Sequence, residues 1–303
     1  MMKYSDSELM KKLKCSKEEL EMFKRIQREA LKEAKEIKKH FFEKEIRVLG
    51  ISGSTRRKYD CPQEDSNSDW LLEKAVEHMK KLGAKTEIIK LWEYNIHPCK
   101  GCYSSVNTQC HYKCTCYPEG TEFADDMTHL LYDKLKWADA IIFSSPVHNF
   151  KISSPMSLFI DRCISMDGSL YPANPYHPKD LILNKKHAKF IEITADSKVY
   201  GSGFLKRFIG KTAGIIVTGH EIGLSMAINS LYQTLNNFGM VFPPFSGVYA
   251  TGNYCQGTYA DRKIIRKGCH EEDVKELAEN VFKMTKVLKS DPKNWWSFNS
   301  KAN

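Results

Sequence analysis

No apolar run in the 303 residues reaches the eighteen or so that a bilayer-spanning helix requires. The opening residues, MMKYSDSELMKKLK, are charged and lack the apolar core of a signal peptide. A soluble, cytoplasmic protein with no membrane partner is therefore expected. Concentrated charge is missing too. The net charge is +9, but the excess is scattered, and stretches such as KKHFFEKEIR alternate in sign. That pattern describes solvated faces and no nucleic-acid partner, although the overall field favours anionic cofactors. No Ser-His-Asp order and no paired-carboxylate site stands out, so no protein nucleophile is expected. What the chain does have is core material, 42% apolar and 11% aromatic residues. It also has ten cysteines, five of them inside CKGCYSSVNTQCHYKCTC (99–116). A reducing cytoplasm disfavours structural disulfides, so these read as thiols or metal ligands.

Residues 6 to about 44 carry helical spacing. Leu20, Phe23, Ile26, Ala30, Ala34 and Ile37 recur along one stripe, and Ser16 with Glu19 forms a capping box. Residues 1–45 are expected to be a helical extension. The pattern then changes. IRVLGIS (46–52), TEIIKLW (86–92), ADAIIFSSPV (138–147), TAGIIVTG (212–219) and VFPPFSGVYA (241–250) read as strands. The prolines of the last one suit a sheet edge. Helices are expected at 69–83, 125–137, 154–165, 225–240 and 270–289, with Asp125 and Asp126 opening the second of these. AKFIEIT (188–194) is an extra strand or part of an insertion or dimer arm. Residues 291–303 form a tail. Strands alternating with helices specify an α/β fold, a doubly wound parallel sheet over 46–290 with a cysteine-rich insertion at 97–120. In such sheets ligands bind at the carboxyl ends of the strands, which singles out the loops after 52, 92, 147 and 218.

The first of these loops, GISGSTRR…SNSDW (50–70), is rich in hydroxyls and leads into a helix N-terminus, where free N–H groups and the dipole favour an anion. It has neither the GxGxxG of a dinucleotide turn nor the GKS/GKT of a triphosphate loop. One terminal phosphate fits it, with Arg56 and Arg57 adding charge. After the third strand, SSPVHNF (144–150) places a proline-stiffened backbone at the strand end. After the fourth, TGHEIG (218–223) offers Gly219 and Gly223 for close approach, with His220 and Glu221 read as solvent-facing. In the cysteine segment the spacing is C-x2-C-x7-C-x3-C-x-C. Cys99 and Cys102 are placed to share one metal, and any two of Cys110, Cys114 and Cys116 complete a four-thiolate set. An iron–sulfur cluster, a structural zinc, and free thiols or a redox disulfide are all compatible with that spacing.

Together, GISGSTRR…SNS and ADAIIFSSPVHNFKISSPMSLFIDR resemble the flavodoxin-like NAD(P)H-dependent FMN reductase family over about 46–250. The start of the cysteine segment is similar to that of its iron–sulfur flavoproteins. The resemblance implies a five-stranded sheet in the order 2-1-3-4-5 with FMN across the strand ends. It implies that Ser52, Ser54, Thr55, Arg56, Ser66, Asn67 and Ser68 surround the FMN phosphate. Many relatives have proline where Thr55 stands. Pro146, Val147, His148, Asn149 and Phe150 would follow the isoalloxazine ring, and Thr218 and Gly219 would form its far wall. The chemistry would be carried by FMN rather than by a catalytic side chain. Iron–sulfur flavoproteins place a third cysteine where this chain has Ser105, so the ligand set for a [4Fe–4S] cluster is four of the five thiols. The implied activity moves electrons from NAD(P)H or a reduced carrier, such as a ferredoxin-like protein, to a flavin, quinone or small acceptor. A homodimer or homotetramer is implied. Two other readings are a quinone or nitro-compound reductase without a cluster, and a non-catalytic flavin-binding module. No separate nicotinamide motif decides between NADH and NADPH.

Overall fold

The computed structural model describes residues 4–61, 63–196, 198–219, 221–252 and 258–291. The apolar runs form the sheet. β1 (Arg47–Ser52) lies between β2 (Lys85–Lys90) and β3 (Ala140–His148), and β5 (Thr212–Gly219) and β6 (Gly247–Thr251) continue beyond β3. All four pairings are parallel. A two-residue strand, β4 (Lys151–Ile152), folds back antiparallel on β3. The parallel strands alone give the expected order 2-1-3-4-5, and the fold is flavodoxin-like.

Because side chains alternate across a strand, the central strands bury both faces. Leu49, Ile51, Ile141, Phe143, Ile215 and Val217 enter one core with α5 (Tyr132–Trp137), α6 (Ser154–Cys163) and α8 (Glu221–Asn237). Val48, Ile142 and Ile216 enter the other, against α3 (Asn67–Lys81) and α10 (His270–Ser290). β6 is the edge strand, and the prolines expected within it, Pro243 and Pro244, lie before it. It begins only at Gly247, and Val241 makes an isolated bridge to Thr212.

Several elements differ from the sequence reading. The first helical stretch is two helices, α1 (Asp6–Leu13) and α2 (Lys17–Phe42), separated at Lys14 in the left-handed region, each with its own capping box. The 125–137 helix opens with a π turn at Met127–Leu131. AKFIEIT is the second half of a helix, α7 (Leu181–Thr194); Leu183, His187, Phe190 and Ile191 share its buried face. Two short helices, α4 (Cys102–Ser105) and α9 (Thr258–Lys267), were not anticipated. His220, Cys255 and all of the tail after Asp291 lie outside the described residues.

The N-terminal helices have a specific partner. Leu9, Leu13, Leu20 and Phe23 share a core with Ala173, Leu183, Phe190 and Ile191, and Ala34, Ile37 and Phe41 pack on Leu205. Between these patches Glu33 of α2 receives two hydrogen bonds from the buried Arg207 guanidinium, at 2.8 and 3.1 Å. The segment 165–210, which fits no strand–helix alternation, is the other half of this second core.

Candidate active site at the carboxyl edge of the sheet

The loop after β1 is held by its own hydroxyls. Ser52 donates to the Asp69 carboxylate and accepts from the Ser54 N–H at 3.1 Å. Ser54 accepts from the Arg56 N–H at 3.2 Å. At the far end Ser66 caps α3 through the Asp69 N–H, and the Ser66 and Ser68 hydroxyls meet at 2.7 Å. Asp69 therefore binds both ends of the loop, a role the sequence reading did not assign. Burial pushes its carboxyl up, opposed by the Ser52 hydroxyl and by Lys90 at 3.5 Å. Ser52, Ser54, Ser66 and Ser68 are buried, Thr55 is exposed and Arg56 is half-buried. Arg57 leans away, paired with Asp60 at 2.8 Å and lying over Trp92. Asn67 opens the helix, and its buried Oδ1 has no hydrogen-bond partner among the described residues. The outward N–H groups of the first helical turn, beside the serine hydroxyls, are the donors of a polar cradle, whereas Asn67 Oδ1 can only accept a hydrogen bond.

The loop after β3 is tied to this cradle. Gly53 N–H donates to the Ser144 carbonyl at 2.8 Å, Ser144 Oγ to the Ser68 carbonyl at 2.9 Å, and Ser153 Oγ to the Gly53 carbonyl at 2.6 Å. Beyond it the structure departs from a plain strand-to-helix turn. Pro146 is still in β3, opposite Thr218. Val147 and His148 pair with Ile152 and Lys151, and the chain reverses through Asn149 and Phe150, at φ 49° and 65°. Pro146 and Val147 are half-buried, whereas His148, Asn149 and Phe150 stand exposed at the hairpin tip. The third loop supports this hairpin. A methyl added at Gly219 would lie 2.9 Å from Val147 Cβ, and one at Gly223 would clash with Val147 Cγ1 and sit 3.1 Å from Phe150 Cα. Thr218 is buried and Gly219 half-buried beneath it.

The five clustered cysteines line one small cavity, together with His111, Arg162 and Ser165. Cys102 and Cys116 Sγ are 3.3 Å apart, and the Gly101 N–H points to Cys99 Sγ at 3.4 Å. Burial pushes the Cys110 thiol up to about 11. A hydrogen bond from Cys116, reinforced by the Arg162 charge, brings Cys114 down to about 6, and the donating Cys116 thiol is raised. A tetrahedral zinc at ~2.3 Å from each sulfur needs donors about 4 Å apart. Among the described residues, three such donors gather only at Cys269, His270 and Asp273, away from this cavity. The five thiols therefore converge on one cavity without a ready three-donor set among the described residues, and Cys102 and Cys116 are near enough to touch.

Arg162, at 1% exposure, forms the floor of the cavity. It pairs with Asp125, donates to the His97 carbonyl at 2.9 Å and Thr128 Oγ1 at 2.8 Å, and lies over the Tyr117 ring. Asp125 also accepts the Thr128 N–H at 3.0 Å, so it does cap the turn, but its main partner is the arginine. The His97 ring stacks on Tyr117. Arg162 and Asp125 were missed as a pair because 37 residues separate them. α6 links the two regions: its start follows the hairpin and Arg162 stands roughly 12 Å along its axis.

Residues 46–183 match the family described as NADPH-dependent FMN reductase. That stretch is similar to this family. The matched region contains the serine loop, the hairpin and the whole cysteine segment, and it stops short of the residue 250 expected from the sequence. Curated relatives include an iron-sulfur flavoprotein of Archaeoglobus fulgidus, 32% identical over 117 residues, which are 39% of this chain and 48% of that protein. An iron-sulfur flavoprotein of Methanocaldococcus jannaschii is 31% identical over 118 residues, 39% of this chain and 51% of its own. The chain thus spans about half the length of the curated relatives it matches. Among solved structures, RosB with a bound 8-demethyl-8-formylriboflavin-5'-phosphate superposes with a TM-score of 0.57. It is 18% identical, with 82% of this chain and 81% of RosB covered, and so attests the fold.

Proposed function

We propose that this protein is an FMN-dependent oxidoreductase that moves electrons from NAD(P)H or a reduced carrier to a flavin, quinone or other small acceptor. The observation that carries the reading is the cradle itself. Ser54, Ser66 and Ser68 surround a helix N-terminus, facing a loop that the hairpin holds at the next strand end. FMN fits that donor set, its phosphate at the α3 N-terminus and its ring toward Pro146–Asn149 and Gly219. Bound there, FMN supplies hydride acceptance and one- or two-electron transfer. The chain's own residues bind and orient. Asp69 fixes the loop, the α3 N–H groups neutralise the phosphate, and the hairpin limits access to the ring.

The five thiols add an electron relay. Cys99, Cys102, Cys110, Cys114 and Cys116 line one cavity, and four of them would hold a [4Fe–4S] cluster; Cys102 and Cys116, 3.3 Å apart, would have to separate or only one of them would ligate. A ferredoxin-like partner and a homodimer or homotetramer complete this reading. The test is anaerobic purification with an absorbance spectrum and iron, zinc and flavin analysis. One FMN and about four irons per chain are expected. FMN without iron would favour a quinone or nitro-compound reductase, and protein that takes up no FMN even on reconstitution would end the proposal. Asn67→Ala should weaken FMN binding about tenfold and riboflavin binding far less, since the phosphate is its partner.

A further inference from the structure

Phe150 occupies the second position of a two-residue hairpin turn with both central residues left-handed. Asparagine suits the first position of such a turn, but the second is normally glycine. A bulky side chain at positive φ is an outlier that persists only where the surroundings impose it. Here they do: Val147 and the Phe150 backbone rest on Gly219 and Gly223, while Ile152 and Lys151 pair the strands. The ring is not enclosed by the fold in return: Phe150 is 56% exposed. A strained backbone therefore presents an uncovered aromatic face at the carboxyl end of β3, where open α/β sheets bind ligands.

We propose that Phe150 is a specificity-determining stacking residue for the second substrate, a planar conjugated ring such as a quinone or nicotinamide. This rests on the flavin reading of the same edge but assigns Phe150 to the incoming ring rather than to the flavin. An offset aromatic pair at an exposed site is worth about a fivefold change in affinity.

The test compares wild type, Phe150→Gly and Phe150→Trp by titration with FMN and, separately, by titration of the FMN-loaded protein with 1,4-naphthoquinone. In Phe150→Gly, naphthoquinone should bind about fivefold more weakly, FMN affinity should stay within twofold, and the melting temperature should rise about 2 °C as the strain is relieved. Phe150→Trp should restore naphthoquinone binding. Equal naphthoquinone affinity in all three overturns the inference. So does a loss of FMN affinity in Phe150→Gly, which would put the ring on the flavin, or a changed solution mass, which would put it against a second copy. Failure of wild type to bind FMN would instead strike the flavin reading. Naphthoquinone titration of the flavin-free proteins would then still decide the role of Phe150: a fivefold gap supports stacking, and equal affinity ends it.

Discussion

His187 of α7 is buried with its ring stacked 5.3 Å from Phe23, and its Nε2 has no hydrogen-bond partner among the described residues. Burial first, then the neighbouring His111, brings its pKa down to about 4. Above pH 6.5 the ring is neutral folded and unfolded alike. Between 6.5 and 4 the unfolded chain takes up a proton that the folded chain refuses, so stability falls as pH falls, by about 3 kcal/mol in all. Burial brings His111 down to about 4 as well, so urea unfolding across that window should show the combined slope and His187→Phe should reduce it by about half. Asp125 acts in a lower window. Burial raises its carboxyl, but Arg162 and Thr128 outweigh that and hold it below 3.8. Its contribution is complete above that pH and is lost only in stronger acid. Arg162→Met would leave the carboxylate buried and unpaired, at a cost of about 3–5 kcal/mol, read from the denaturant midpoint at pH 7. Neither residue announces itself in the sequence. A lone histidine in a helix and an Asp–Arg pair far apart along the chain acquire meaning only from what folds around them.

At the scale of elements, the strands and most helices are legible because local pattern decides them: continuous apolar runs in β1, β3 and β5, helical stripes in α2 and α10. The exceptions have local causes. AKFIEIT is rich in β-branched and aromatic residues, yet it is helical because its 183–187–190–191 stripe meets the N-terminal helices. The β3–β4 hairpin has no Asn-Gly signal, and its turn is imposed by the glycine platform beneath it. Gly223→Ala tests that platform. The added methyl collides with Val147, so a loss of about 1–3 kcal/mol and weaker FMN binding are expected. Gly203→Ala is the control, since its methyl would meet only Ala195 at an ordinary 3.5 Å. Calorimetry of the two variants should separate them clearly.

Over the whole molecule, what the sequence presents as an appendage is half of a second core. α1 and α2 cover the 165–210 segment, and that segment in turn holds the cysteine loop: Tyr112 N–H donates to the Leu170 carbonyl at 2.9 Å, Ser165 Oγ to the His111 carbonyl at 2.7 Å, and Arg207 lies over the Tyr112 ring. Deleting residues 1–44 should therefore do more than shorten the chain. It would expose Phe190, Leu183 and Leu205 and strand the Arg207 charge. The truncated protein should bind a hydrophobic dye and, on anaerobic purification, retain less iron than the full chain while still taking up FMN. Unchanged dye binding and iron content would show that the cysteine loop stands without the second core.

Contiguous residues alone specify the parallel sheet and the serine-rich loop and clustered thiols at its carboxyl edge, because local pattern and spacing write each of them. Tertiary contacts settle the rest: that Asp69 locks the serine loop, that Arg162 and Asp125 underlie the thiols, that Phe150 is held out at a strained turn, and that the first helices pack on the segment that holds the cysteine loop. Each of these is a meeting of residues distant in the chain, where burial and ion pairing set the energy and local propensity is silent.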